Sequence, residues 1–519
     1  MKFRTLIVVC VTSLVPSIVT AQALTSLASV RVGYITRKNT VKPQGELKAQ
    51  IDALDAQIAE TSRLGRNDEL RKLFAKGIAL LNNRPWTDAS EFASSLVLRT
   101  DRVVVDSSKP YVVRLEQIFA PSIGLERPLT AKVALYKRPS GPPPAAGVSP
   151  PPPEMLKELG TFEGVGRDLR ESPFSFDLDV RDVADGTYLL IANVGDGANP
   201  LGAANLVVAL RKGLDETVAK LEGDAKLAPQ NLRAEILYPI DRMKQVNRGR
   251  LELRTFDPER DFAAAEALAL AAKNGTDPFA GRTGDIRRHY LLEAANEIIP
   301  YRTYVPKAYT GSKPFPLIIA LHGLGGTEDS FFDNYGAGLP PLAESHGYIL
   351  AAPLGYRVDG SYGWGLGTPP ADSAIRRTQD FSEQDVMQVL QRVRRQYKID
   401  ENRIYLMGHS MGRIGTWKIA PKYPDVWAAI APISGNGAPD TLEKIRNVPE
   451  IIVHGDNDPT VNVSGSRTMV AKLKELGVEH KYIEVPGGLH GDVVAPNIAA
   501  IIDFFDAHRK IAKPTSQPD

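Results

Sequence analysis

The stretch Gly408-His409-Ser410-Met411-Gly412 holds one serine between two glycines, directly after the apolar run RIYLM and before the helix-like MGRIGTWKIAPKYP. A G-x-S-x-G match is weak alone; the strand–turn–helix setting is what makes it a candidate nucleophile elbow. The requirement is steric. A turn this tight has no room for bulky neighbours, so glycines flank a serine held in a strained, outward-pointing conformation. A serine hydroxyl is inert until a base stands within hydrogen-bond reach, and on such an elbow the acid and then the histidine follow the serine in sequence. VHGDNDPTV, residues 453–461, puts Asp456 and Asp458 just past an expected strand end, and PGGLHGD, residues 486–492, puts His490 in a glycine-rich loop. The chemistry would be nucleophilic catalysis by the serine. His490 takes the Ser410 proton and returns it to the leaving group, while a carboxylate fixes the imidazole tautomer and stabilises the imidazolium. Asp458 is preferred as that acid, because the HG-x-x-D spacing carries the chain round a turn before presenting the side chain. Asp456 then bonds nearby backbone N–H groups, and the reverse assignment stays open.

An oxyanion hole completes the set. LHGLGG, residues 321–326, follows the first apolar strand, and its glycines let backbone N–H groups face a developing negative charge. The backbone N–H groups of Leu324 and Met411 are the two expected donors. His322 and His454, each at a strand end before glycine, are expected to be structural hydrogen-bonders. His409 falls on the far side of the turn, Asp492 reads as a loop charge, and Glu383 and Asp385 read as carboxylates opening a helix. No metal site, cofactor or nucleotide is implied.

The elements that must position these residues show in the hydropathy pattern. After Tyr301 the apolar runs PLIIALHG, GYILAAP, RIYLMGHS, WAAIAPIS, EIIVHGD and KYIEVPG alternate with helix-like segments, which implies a mostly parallel sheet with helices on both faces. Earlier, GELKAQIDALDAQIAE sets Leu47, Ile51, Leu54 and Ile58 on one helical stripe. From Ser94 the period changes to two, in short runs such as PYVVRLEQIFA, LTAKVALYKR and NLVVALRK, the pattern of a small antiparallel β-sandwich. The proline tract at 139–154 is expected as a loop inside it. The expected multidomain order is a signal peptide over 1–23, a helical segment over 24–92, the sandwich over 93–213, a helical connector over 214–290 and the α/β domain over 291–512.

Lys and Arg total 63 against 61 Asp and Glu, a balance that argues against a nucleic-acid partner. Lys2 and Arg4, the apolar stretch Leu6 to Val19, and Ala21 with Ala23 form the pattern of a secretory signal peptide. The expected location is therefore secreted or periplasmic, with no membrane span after cleavage. Cys10, the single cysteine, lies inside that segment, so the mature chain would have no thiol.

From about Arg302 onward the chain resembles α/β-hydrolases of the exported poly(3-hydroxybutyrate) depolymerase and feruloyl-esterase type, relatives of carboxylesterases and prolyl-oligopeptidase-like catalytic domains. The landmarks are YRTYVPKAY, PLIIALHGLGG, ENRIYLMGHSMG, YPDVWAAIAPISG, VHGDNDPTV and PGGLH, in that order. Arg413 departs from the third glycine that many such sequences carry after the elbow. The resemblance implies a serine esterase forming an acyl-enzyme on Ser410. Only ISGNGAPDTLEKIRNVPE separates two of the strands, too little for a lid domain, so an open site for bulky or polymeric esters is expected. The connection LGYRVDGSYGWGLGTPPADSAIRRT is expected to wall the pocket, with Tyr362 and Trp364 on the substrate. Two other readings are a serine peptidase of the prolyl-oligopeptidase-like type and a wall- or polymer-binding protein with an inactive hydrolase domain. The accessory half is the expected polymer- or wall-binding module.

Overall fold

The computed structural model describes residues 27–510 except 123–128, 139–151, 167, 198, 252, 254–255 and 364–372. The signal-peptide stretch, most of the proline tract and Trp364 lie outside the described residues. The chain divides into two compact units, Met1–Lys220 with Arg242–Ala263, and Leu221–Asp241 with Ala264–Asp519.

In the first unit, helices Leu27–Val41, Gly45–Arg63 and Asn67–Leu81 bury Val30, Tyr34, Ile51, Leu54, Leu70, Phe74 and Leu81 together. The centre of the sequence stripe, Ile51 and Leu54, is buried, and its ends, Leu47 and Ile58, are half-buried, as a helix lying over a small core requires. Helix Asp88–Ser95 starts at a capping box in which the Thr87 and Ser90 side chains and backbones bond reciprocally. Two sheets follow. One pairs Leu96–Arg99, Tyr111–Gln117 and Phe174–Leu178; the other orders Val104–Asp106, Asn199–Arg211, Gly186–Asp196, Leu129–Lys137 and Met155–Val165. The strands flanking the proline tract pair with each other antiparallel. One pair departs from the expected antiparallel pattern: Val104–Asp106 runs parallel to Asn199–Arg211.

The second unit is built on one eight-stranded sheet. Its strands are β1 (Gly284–Leu292), β2 (Glu297–Val305), β3 (Phe315–Leu321), β4 (Ile349–Pro353), β5 (Ile399–His409), β6 (Ala429–Ile433), β7 (Glu450–Gly455) and β8 (His480–Val485), in spatial order 8-7-6-5-3-4-2-1. All six expected apolar runs are strands, and β3 to β8 pair in parallel. The sheet is nevertheless mixed. β1 and β2 form an antiparallel hairpin, and β2 pairs antiparallel with β4. The sheet therefore starts at Gly284, inside the stretch assigned to the helical connector; β1 alternates buried and open residues and lacks the fully apolar run that marks a central strand.

Alternation along the strands divides the core in two. Leu317, Ile319, Ile404 and Leu406 face one side with Val386, Val389, Trp417 and Met469. Ile318, Ala320, Tyr405 and Met407 face the other with Leu339, Ile498, Ile501 and Phe505. The first set of helices is α2 (Ala374–Gln396), α3 (Met411–Ile419) and α4 (Ser464–Leu476); the second is α1 (Leu339–His346) and α5 (Val494–Ala507). A parallel sheet buried on both faces brings its strand ends, and the loops after them, to one edge.

Glu383 and Asp385 correct the sequence reading. α2 starts earlier, at Ser373, whose side chain accepts from the Arg376 N–H, so both carboxylates fall mid-helix and buried. Asp385 accepts from the Tyr290 hydroxyl at 2.6 Å and the Tyr356 N–H at 2.8 Å, and burial pushes its carboxyl up to about 6. Glu383 meets Lys422 and the Tyr423 hydroxyl.

Candidate active site

Ser410 joins the end of β5 to the start of α3 at φ 57° and ψ −113°, a conformation that L-residues avoid unless the surroundings impose it. Its N–H is held by the Ile433 carbonyl at 2.9 Å. The glycine after it is required by close approach. A Cβ on Gly412 would lie 1.9 Å from the Leu321 carbonyl oxygen, so α3 rests directly on the loop after β3.

The fold brings the three side chains together from three strand ends. His490 Nε2 is 2.8 Å from Ser410 Oγ, and His490 Nδ1 is 2.7 Å from Asp458 Oδ2. The Asp458 side chain is wholly buried, and its Oδ1 accepts from the N–H groups of Thr460 and Val461. Burial alone would raise its carboxyl; those donors and the His490 ring outweigh burial and hold it below the ordinary range. Asp456 turns the other way and accepts from the Gly487 N–H at 2.6 Å. Asp492 accepts from the Leu489 N–H and so shapes the loop that carries His490.

The loop after β3 approaches the serine closely. A Cβ on Gly323 would stand 3.4 Å from Ser410 Cβ. Among the described residues, neither the Leu324 N–H nor the Met411 N–H donates to a protein acceptor. His322 lies beneath, its ring nitrogens facing the carbonyls of Gly323 and Leu354. Leu324, next to Gly323, and Leu489, next to His490 in the sequence, are 62% and 45% exposed.

Tyr362 corrects the expectation that it meets substrate. Its side chain is fully buried, its hydroxyl points at the His322 carbonyl from 3.4 Å, and its ring fills the space that a Cβ on Gly415 would enter. It supports the loop after β3 from below.

Two other positioning groups, His409 and Ser434, were not legible in the sequence, while His454 is the structural hydrogen-bonder expected there. His409 Nε2 donates to the His490 carbonyl at 2.9 Å, while its Nδ1 faces the Tyr335 hydroxyl at 2.8 Å; burial pushes its imidazole down to about 4, which keeps it neutral. Ser434 Oγ donates to the same carbonyl at 2.9 Å. His454 lies behind the acid, its Nε2 3.2 Å from Asp458 Oδ2 and its Nδ1 2.7 Å from Ser466 Oγ. Only the places of His409 and Ser434 at strand ends could have marked them, and many residues share that.

Comparison with known proteins agrees with this architecture. Residues 293–470 match the Esterase family, described as putative esterase. A bifunctional acetylxylan esterase/xylanase of Neocallimastix patriciarum is 31% identical over 28% of this chain and 20% of its own length. Feruloyl esterase B of Neurospora crassa is 32% identical over 26% of this chain and 42% of its own length. Poly(3-hydroxyalkanoate) depolymerase C of Paucimonas lemoignei is 28% identical over 23% and 28%. The chain thus spans less than half the length of these relatives. Residues 293–470, with the sheet that contains them, form an α/β-hydrolase domain of the esterase family.

Proposed function

We propose that the protein is a serine esterase: Ser410 attacks a carboxylic ester, His490 moves the proton, Asp458 holds His490, and water releases the acyl group. The observation that carries this reading is the unbroken run of contacts from Ser410 Oγ through His490 to Asp458 at 2.8 and 2.7 Å, on a serine strained to φ 57°. With Asp458 accepting from Nδ1–H, the lone pair of Nε2 faces the serine proton, the arrangement a general base needs. The oxyanion of the tetrahedral intermediate would be met by the unengaged N–H groups of Leu324 and Met411.

The substrate class in this reading is a bulky or polymeric ester, such as a feruloyl ester or polyester. The similarity to feruloyl esterase B and to the depolymerase supports it, as do the exposed Leu324 and Leu489. Export to the periplasm or medium is part of the same proposal and rests on the first 23 residues of the sequence; no described helix is long and apolar enough to cross a membrane. The test is turnover of p-nitrophenyl acetate to octanoate, methyl ferulate and a peptide nitroanilide, beside Ser410→Ala. Ester turnover that vanishes in the variant is expected. Turnover of the anilide alone would move the protein to the peptidases.

A further inference from the structure

Arg413 lies one turn into α3 from Ser410 and is 1% exposed. A guanidinium so deep is ordinarily paired with a carboxylate, because an ion taken out of water without an opposite charge is among the least favourable burials. Among the described residues none pairs with it. Its Nη1 donates to Asn436 Oδ1 at 2.9 Å, its Nε has no hydrogen-bond partner, and its Cζ stands 5.7 Å from the Trp417 ring centroid. Burial pushes it down to about 9, with no acidic neighbour among the described residues acting on it, so it remains a cation at neutral pH.

The surroundings tie this cation to the reacting centre. Gly435 lets the guanidinium pack directly on the backbone, since a Cβ there would lie 1.9 Å from the guanidinium carbon and push it aside. The same short turn supplies Ser434, which holds the His490 carbonyl, and the Gly435 carbonyl, which accepts from Ser466 behind His454 and Asp458. Asn436, over the guanidinium, is exposed, so the cation lies just under the surface at the edge where the triad emerges. The charge of Arg413 acts on His409 and His454, the two imidazoles packed beside the triad, so the guanidinium stands close to the reacting centre.

We propose that Arg413 and Asn436 form an anion subsite beside Ser410 that takes a free carboxylate carried by the ester substrate, so that the preferred substrates are half-esters of short dicarboxylic acids. The substrate supplies the opposite charge that the described residues omit. In a water-excluded site such a pair is stronger than at the surface, and Arg presents a planar fork matched to a carboxylate. The inference rests on the esterase reading for its substrate, and its binding test does not.

The experiment is calorimetric titration of Ser410→Ala with monomethyl glutarate and with dimethyl glutarate, repeated in Ser410→Ala/Arg413→Met, Ser410→Ala/Arg413→Lys and Ser410→Ala/Asn436→Ala. A charged hydrogen-bonded contact favours the half-ester by about ten- to a hundredfold. That preference should vanish with Met, return in part with Lys, and weaken with Asn436→Ala, which alters an exposed side chain and leaves the core untouched. Equal binding of the two esters, or a preference that survives Arg413→Met, overturns the subsite. If the Met protein does not fold, the comparison of the two esters and the Asn436→Ala result decide alone. Fluorophosphonate labelling of the wild-type protein separates the two readings: labelling without half-ester preference sinks the subsite only, and preference without labelling sinks the esterase reading only.

Discussion

Replacing Asp458 by Asn changes one atom of the site and should stop the chemistry. The amide oxygen would keep the two backbone N–H donors of Thr460 and Val461 that Oδ1 now accepts. The NH2 group would then take the place of Oδ2, 2.7 Å from His490 Nδ1 and 3.2 Å from His454 Nε2. An N–H facing Nδ1 forces the other tautomer, with the proton on Nε2, aimed at Ser410 Oγ from 2.8 Å. A protonated Nε2 cannot accept the serine proton, and the imidazolium loses its counter-charge. Known triads lose about 10^4 in kcat on this change. Because the backbone donors here keep the amide seated, kcat should fall by roughly 10^3–10^4, about 4–5.5 kcal/mol of barrier, with KM changed little. The assay is kcat and KM for p-nitrophenyl butyrate, with thermal unfolding as the control for folding. Asp456→Asn, which alters only an acceptor for the Gly487 N–H, should stay within a fewfold of wild type. A loss under tenfold for Asp458→Asn, or the larger loss at Asp456, would refute the assignment.

Gly412→Ala would place a methyl 1.9 Å from the Leu321 carbonyl oxygen, and backbone cannot yield as a side-chain tip can. It should destabilise by at least ~1–3 kcal/mol and displace the Leu324 loop, read as a lowered unfolding midpoint together with lost fluorophosphonate labelling; a variant with native midpoint and labelling would contradict the close approach. Glu450 is wholly buried, accepts from Trp417 Nε1 at 2.8 Å, and has an unpartnered Oε1; burial pushes its carboxyl from 4.5 up to about 8. The folded form therefore keeps a proton that the unfolded chain has lost, so stability should fall as pH rises from about 4.5 to about 8. Glu450→Gln removes that slope and should gain on the order of a few kcal/mol at pH 8.5 and little at pH 5, by urea unfolding at both; equal gains at the two pH values would refute the burial argument. Ser434→Ala deletes one of two donors to the His490 carbonyl. It should lower kcat by under tenfold, about 1 kcal/mol, and an unchanged kcat would leave His409 as the group that holds the loop.

The sequence by itself determined the six parallel strands of the eight-stranded sheet, because a parallel strand buried on both faces must be a short apolar run whatever its neighbours are, and even the half-buried edge strand β8 keeps part of that pattern. It also marked the Ser410 elbow, where crowding within a few residues demands glycine, and the serine–acid–histidine order. What it left open depended on distances between residues far apart in the chain. β1 and β2 are legible as strands only once they pair with each other and with β4. Glu383 and Asp385 read as surface carboxylates until α2 is seen to extend past them and Tyr290, Tyr356, Lys422 and Tyr423 converge on them. Asp456 and Asp458 differ by two positions in a turn, and only the packed loops direct one at His490 and the other at Gly487. Tyr362, from a glycine-rich connection, is buried by its fit against Gly415 and His322. Arg413 carries the same lesson in reverse: its charge is plain in the sequence, and only the tertiary structure decides that no carboxylate among the described residues comes to meet it, since burial and pairing belong to the space around a side chain.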